Sequence, residues 1–144
     1  MDRYTAIQQL VTALKEIDGN VSPYNPAYTF QTNLYDGVEP AYLFIDEINS
    51  FPTVTVTSDE ERIVHLLSDE RMSVLNVDIR GYTYDEEVEQ SGEVLSEDIE
   101  HVLTHYKDWA TDLEDVKLTM IRTDAGLHAP YGVCIFTVAM LFIR

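Results

Sequence analysis

The chain has 144 residues, of which 45% are hydrophobic, and its 26 Asp and Glu against nine Lys and Arg leave a formal net charge of −17. This length and composition predict a single folded domain, spanning residues 1–144, with its own hydrophobic core. The acidic balance excludes proteins that bind nucleic acid through its phosphates, because that class needs clustered Lys and Arg.

The negative charge is concentrated between Asp85 and Asp115, where twelve acidic residues accompany one lysine, Lys107. Such a run is typical of a solvated helix face. Two sharper interpretations are a surface that repels DNA and a surface that binds a basic partner.

The N-terminal residues do not form an apolar signal segment, and no stretch is long and apolar enough to predict a membrane span. We therefore expect a protein of the cytoplasm, or of a particle assembled there. The lone Cys134 lies in an apolar stretch, which excludes an intramolecular disulfide and predicts a buried thiol.

A first amphipathic helix is predicted for Asp2–Ile17, with Asp2 as its N-cap and Gly19 as its terminator. Its apolar residues recur three and four positions apart, at Ile7, Leu10, Val11, Leu14 and Ile17. This spacing predicts that one face of the helix packs on a sheet.

Residues 21–50 lose this periodicity and form a segment rich in proline and aromatic residues, which we call the arm. Its aromatic residues are Tyr24, Tyr28, Phe30, Tyr35, Tyr42 and Phe44. Such a segment is either an extended arm that docks on a neighbouring molecule or a loop that packs on its own domain. The sequence favours both equally.

Two strands are predicted next, Phe51–Thr57 and Met72–Tyr84, because both runs alternate apolar and polar residues. Residues 58–61 predict a polar turn, and residues 62–71 a hairpin connection.

A second helix is predicted for Glu86–Tyr106. Its apolar residues fall on a narrow stripe made of Val88, Leu95, Ile99, Val102 and Tyr106. We expect Ile99 and Val102 to pack on the sheet beside alternate residues of the last strand.

The chain ends in two predicted strands, Val116–Thr123 and Val133–Ile143, joined by a loop rich in Gly and Pro. In the first, one face is predicted to carry Val116, Leu118 and Met120. The second strand is apolar on both faces, so it is either central, with helices on one side, or its second face meets another subunit.

This order of elements predicts the α+β class. We expect a roughly four-stranded, largely antiparallel sheet with two helices packed on one face and the irregular arm beside it. Open edges of such a sheet are either blocked or used for assembly.

Candidate chemistry is sparse. Asp98, His101 and His105 are spaced for one face of the second helix, and two histidines four residues apart can bind zinc. The glutamate of a metalloprotease motif is absent, and surface histidines on an acidic helix explain the spacing equally well. Asp124 and His128 could form an acid–base pair, but no nucleophile pattern accompanies them. We therefore assign no catalytic, cofactor or metal site.

Five short motifs carry a family resemblance. Phe51–Val56 opens the sheet, Asp78–Tyr82 ends a strand before an acidic stretch, and Glu97–Glu100 lies in the helix that follows. Arg122–Gly126 closes the next strand, and Pro130–Val133 opens the last. This order resembles the tail terminator (tail completion) proteins of long-tailed bacteriophages, including the minor tail proteins that cap the tail tube. The resemblance covers Phe51–Arg144, and the first helix agrees in place.

The resemblance implies a structural virion protein that forms a hexameric ring at the head-proximal end of the tail. It would stop polymerisation of the tube protein and present a surface to the head-completion or neck protein. DNA would pass through the ring without specific binding, and neither catalysis nor a cofactor is expected.

Two surfaces are assigned on this basis. The arm is the only segment both long and aromatic enough to anchor on a neighbour, so its six aromatic residues are predicted to contact the adjacent subunit. The C-terminal loop is predicted to face the tube or the neck through Asp124, Leu127, His128 and Tyr131.

Three alternatives stay open. The protein could be another neck or head–tail joining subunit, which differs only in its binding partner. It could be an acidic inhibitor that mimics DNA, for which a monomer or dimer would be typical. It could be a metal-dependent enzyme built on His101 and His105, which metal analysis would test.

Overall fold

The computed structural model describes residues 1–84, 88–124 and 130–144, with backbone only for residues 88–91. In chain order its elements are α1 (Arg3–Lys15), β1 (Val38–Glu39), a 3-10 turn (Ile45–Glu47), β2 (Thr53–His65), β3 (Arg71–Tyr84), α2 (Val88–Thr104), α3 (Tyr106–Trp109), β4 (Leu113–Thr123) and β5 (Tyr131–Ile143). This is the predicted α+β architecture. None of the described helices has the length and apolar character needed to cross a membrane.

The strands form one sheet in the order β1-β2-β3-β5-β4, and every pair except β1 with β2 is antiparallel. The four long strands are those predicted. The prediction of four strands was nevertheless one short, because the arm supplies the two-residue strand β1. Val38 pairs with Val54 in parallel and is itself buried, so the burial of this valine ties the arm to the sheet.

The predicted turn at residues 58–61 and the connection at residues 62–71 were wrong. Strand β2 continues to His65, paired with β3 throughout, and the turn occupies residues 66–70, where the N–H of Leu66 donates to the carbonyl of Glu70 at 2.8 Å. Charged side chains are compatible with a strand here because this part of β2 lies at the edge of the sheet, where they stay in water.

The core lies between the sheet and the two long helices. Helix α2 packs against β3 and β5, and α1 joins it in the same hydrophobic cluster. One face of β5 is completely buried through Cys134, Phe136, Val138, Met140 and Phe142. Leu95, Ile99 and Val102 of α2 are fully buried opposite this face, which confirms this part of the predicted helix stripe and its packing. Tyr106 of the predicted stripe lies instead in α3 and is half-buried, and the side chain of Val88 lies outside the described residues.

Gly81 permits the close approach of α2 to the sheet. A Cβ at this position would lie 2.7 Å from both the Sγ of Cys134 and the Cδ2 of Leu95. Since these atoms are side-chain ends from the neighbouring strand and from the helix above, a larger residue at this position would force both side chains to move in a closely packed core.

Strand β4 differs from its predicted pattern. Its pairing with β5 shifts between Leu118 and Met120, so that Met120 lies opposite Thr137 and Ile121 opposite Phe136. This irregularity inserts one residue and reverses the alternation after it. The prediction that Met120 shares a face with Val116 was therefore wrong.

Candidate functional site

The first half of the arm is fixed to helix α2 by one carboxylate. Asp98 is fully buried, and its oxygens accept hydrogen bonds from the hydroxyl of Tyr28 at 2.7 Å, the backbone N–H of Gln31 at 3.0 Å, and both the N–H and the hydroxyl of Thr32 at 2.8 and 2.7 Å. A buried carboxyl group is costly unless its oxygens are satisfied by donors. The arm supplies those donors, so the Asp98 anchor couples the fold of the arm to that of the helix.

Aromatic stacking continues this contact. The ring of Tyr28 stacks on His101 with centroids 4.0 Å apart, and Phe30 meets both rings edge-on. The Nε2 of His101 lies 2.7 Å from the hydroxyl of Ser22, in hydrogen-bond contact. Burial and the hydrogen bond to Asp98 raise the pKa of Tyr28, so its hydroxyl stays a donor. These arm residues therefore pack within their own subunit.

The pKa of His101 is lowered, first by burial and then by the nearby His105, whose ring centroid is 4.3 Å away; Asp98 opposes the shift. The other groups that face this imidazole are Tyr24, Tyr28 and the Ser22 hydroxyl. The folded protein thus favours the neutral imidazole.

This shift predicts a pH dependence of stability. The unfolded chain takes up the His101 proton more readily than the folded chain, so stability should fall as pH drops below about 6.5, the ordinary histidine pKa. Thermal unfolding between pH 7.5 and 5.5 measures it. His101→Phe keeps a ring against Tyr28 and should flatten this part of the profile, whereas the matched variant of an exposed histidine, His65→Gln, should leave it unchanged. A wild-type profile that rises towards pH 5.5 would contradict the assignment.

The histidine pair does not assemble a metal site in the structure. The carboxylate of Asp98 is already engaged by the arm, and the described ranges contain no group of three or more His, Cys, Asp or Glu side chains placed to hold an ion. His128, the proposed partner of Asp124, lies outside the described residues. Burial raises the pKa of the Cys134 thiol to about 11, which keeps it protonated and unreactive.

The second half of the arm crosses to the other side of the sheet. The hydroxyl of Tyr82 donates to the carbonyl of Leu43 at 3.2 Å, and the Arg80 guanidinium lies 5.2 Å from the centre of the Tyr42 ring. Tyr42 and Phe44 pack edge-on at 5.1 Å but remain 52% and 61% exposed. This end of the arm therefore presents an aromatic pair to the surroundings.

The six aromatic residues predicted to contact a neighbour thus fall into two groups. Phe30 is buried in its own core, and Tyr24 and Tyr28 are half-buried against α2. Tyr35, Tyr42 and Phe44 are exposed. Only these three are available to a partner without rearrangement.

Two residues that the sequence did not predict, Phe51 and Tyr84, join the predicted surface at Tyr131. Tyr131 forms an aromatic trio with Phe51 and Tyr84, with ring centroids 5.0–5.8 Å apart. The three come together because β2 begins, β3 ends and β5 begins at the same end of the sheet. Asp124 lies beside this end, where its N–H donates to the carbonyl of Val133. Leu127 and His128 lie outside the described residues.

The role of Asp98 was also missed, although the sequence holds a signal for it. Residues 95, 98, 99 and 102 follow the helical spacing of a buried stripe, and Asp98 is the one acidic residue within it. An acidic residue on an apolar stripe must find donors from another segment.

A family model described as Bacteriophage Tail Tube Terminator Protein matches residues 1–143. A search of curated proteins finds no match. The match covers both long helices, the arm and all the strands, and it confirms the resemblance that the sequence motifs indicated. The chain therefore belongs to the bacteriophage tail tube terminator family.

Proposed function

We propose that this protein forms a hexameric ring on the head-proximal end of the tail tube, stops polymerisation of the tube protein and provides the interface for head–tail joining. The observation that carries the proposal is the family match over residues 1–143. Membership of this family makes the chain a structural protein of the phage tail that works in contact with tube components.

The edge strands of the sheet are poorly suited to pair with strands of another subunit. This favours assembly through the faces of the sheet and through the arm. The pairing of β2 shifts between Ser58 and Glu60, and that of β4 shifts between Leu113 and Asp115 and again before Met120. Irregular and charged edge strands resist pairing with another chain. The neighbour in the ring is therefore engaged by other surfaces.

The exposed arm residues are suited to this contact. Tyr42 and Phe44 form a preorganised pair, because the Tyr82 hydroxyl and the Arg80 guanidinium hold the segment against the sheet. Large aromatic side chains dominate the energy of protein interfaces. We assign them, together with Tyr35, to the inter-subunit interface.

The aromatic trio of Phe51, Tyr84 and Tyr131 supports a second contact. It lies at the end of the sheet where β4 ends and β5 begins. Tyr84 is 56% exposed, so this end of the sheet offers an aromatic surface with Asp124 beside it. We assign this end of the sheet, with Asp124 and Tyr131, to the tube or the neck protein.

The net charge of −17 supports passage of DNA without binding. Carboxylates around a channel repel phosphates and provide no counterion release. The same charge opposes ring closure at low ionic strength, and salt screens that repulsion. Assembly should therefore be measured at physiological salt, with the tube end present as a template.

Tube growth in the presence of the purified protein tests the proposal. Wild-type protein should shorten the tubes and stop their growth. The variant Tyr42→Ser/Phe44→Ser should lose about tenfold or more of this capping activity, because each residue contributes on the order of 1 kcal/mol or more to an interface. The control Tyr4→Ser changes a tyrosine on α1 that is even more exposed, and it should cap normally.

These two substitutions test the inter-subunit contact more directly than a deletion of residues 24–35 would. Such a deletion would also remove the buried Phe30 and the donors to Asp98. Normal capping by the double variant would place the inter-subunit contact elsewhere. Tube growth unaffected by wild-type protein would overturn the terminator function itself.

A further inference from the structure

The sheet has a second broad surface, which we call the outer sheet face. It consists of Ile135, Thr137, Ala139, Leu141 and Ile143 of β5 and the residues opposite them on β3 and β4. Helix α2 packs on the other face of the sheet with α1 beside it, and the arm reaches this face near Arg80 and Tyr82.

This face is apolar at its centre. Four of its five β5 residues are aliphatic, and Met120, opposite Thr137, is 52% exposed. At its far end Val64, opposite Met72, is 44% exposed. The exposed pair Tyr42 and Phe44 extends the same surface at the end covered by the arm. An apolar strip of this kind, flanked by charged residues, is typical of an interaction site.

The charge of the outer sheet face differs from that of the rest of the molecule. Following the register from β2 to β4, it carries four basic residues, Arg62, Arg80, Lys117 and Arg122, against three acidic ones, Glu60, Asp78 and Asp115. The remaining 23 of the 26 acidic residues and only five of the nine basic ones lie elsewhere in the chain. Two of the basic residues, Arg80 and Lys117, pair with Asp78 and Asp115 on the same face. The face is thus close to neutral whereas the rest of the chain is strongly acidic, so it is the surface that repels an acidic partner least.

The subunit itself presents such a surface on its opposite side. Glu93, Glu97 and Glu100 are exposed on α2 at positions i, i+4 and i+7, so they form one stripe along the helix. The helix packs on the inner side of the sheet through Leu95 and Ile99. The acidic stripe and the outer sheet face thus point in opposite directions.

We infer that the outer sheet face of one subunit binds the acidic α2 stripe of a second copy of this chain. The inference rests on the proposed ring, and it names the surfaces that join its subunits. Complementary surfaces on opposite sides of one subunit produce a head-to-tail contact that repeats and can close. A face-to-face dimer would instead leave the acidic stripes of both copies unused and could not extend into a ring.

Disulfide cross-linking between two variants that each carry one introduced cysteine tests this arrangement. Met120→Cys places a thiol on the outer sheet face, and Glu97→Cys places one on the acidic stripe. The native Cys134 does not compete, because it is buried and protonated. Each variant is oxidised by itself and as a mixture with the other variant. Both experiments are carried out at physiological salt, with and without the tube protein. The mixed dimer should exceed either self-linked dimer by about tenfold or more.

The outcomes separate this inference from the proposed function. A Met120→Cys dimer formed without its partner would show face-to-face association and overturn the inference. A mixture that caps tubes but forms no mixed disulfide would overturn the interface and leave the terminator function standing. A mixed disulfide with uncapped tubes would support the interface and contradict the function.

Charge reversal gives an independent measurement. Lys117→Glu/Arg122→Glu should weaken association about tenfold or more, and adding Glu97→Lys/Glu100→Lys to the same chain should restore it. Lys15→Glu, a charge change on α1, is the control and should have little effect. If the four-residue variant associates no better than the first pair alone, the two surfaces do not meet.

Discussion

Replacing Asp98 with alanine should lower the free energy of unfolding by about 3–5 kcal/mol, because it removes the shared acceptor of several buried hydrogen bonds. The change leaves the hydroxyls of Tyr28 and Thr32 and the N–H groups of Gln31 and Thr32 without their acceptor. Each buried donor left unsatisfied costs about 1–3 kcal/mol. Urea denaturation of the purified protein measures the loss.

The same variant should release the first half of the arm. Hydrogen exchange at the amides of Gln31 and Thr32 should accelerate more than exchange in the β3–β5 core, because only the arm loses its anchor. Tyr28→Phe removes a single donor and should cost about 1–3 kcal/mol. Glu93→Ala, on the exposed face of the same helix, should change stability by less than about 0.5 kcal/mol. A loss below about 1 kcal/mol in Asp98→Ala, with unchanged exchange, would show that the carboxylate does not hold the arm.

The variant Ile99→Ala is expected to cost about 2–5 kcal/mol, because Ile99 is fully buried between α2 and the sheet and its truncation leaves a cavity. Glu100→Ala changes the next residue on the exposed side of the helix and is the matched control. The same denaturation measurement applies. A difference between the two variants of less than about 0.5 kcal/mol would mean that this face of α2 does not pack on the sheet.

The parts of the fold that could be predicted are those with a strong local period. The stripe of Ile99 and Val102 and the alternation of β5 from Cys134 to Phe142 both identified buried faces correctly. Periodicity succeeds here because burial of one face determines which residues can occupy it. The family resemblance, built on motifs in the same elements, was confirmed as well.

The misplaced boundaries have physical reasons. The charged end of β2 is a strand because β3 supplies its hydrogen-bond partners, which depends on the sheet and not on local sequence. The shift before Met120 inserts a residue that no composition signal marks. Strand β1 exists because Val38 is buried beside Val54, a contact between distant residues.

The candidate site was predictable only in part. The aromatic residues of the arm were recognised, but their division could not be, since it depends on the long-range contact with Asp98. Tyr28 and Phe30 pack on α2, whereas Tyr42 and Phe44 cross to the opposite face of the sheet. The first half of the arm therefore packs on its own domain, and the contact of Tyr42 and Phe44 with a neighbour stays a prediction.

The position of this protein on finished tubes tests the central claim most directly. Labelled protein added to polymerising tube protein should be found by electron microscopy as a single ring at one end of each tube, with six copies per tube. Labelled protein spread along the tubes, present at both ends, or absent from tubes that have stopped growing would contradict the account.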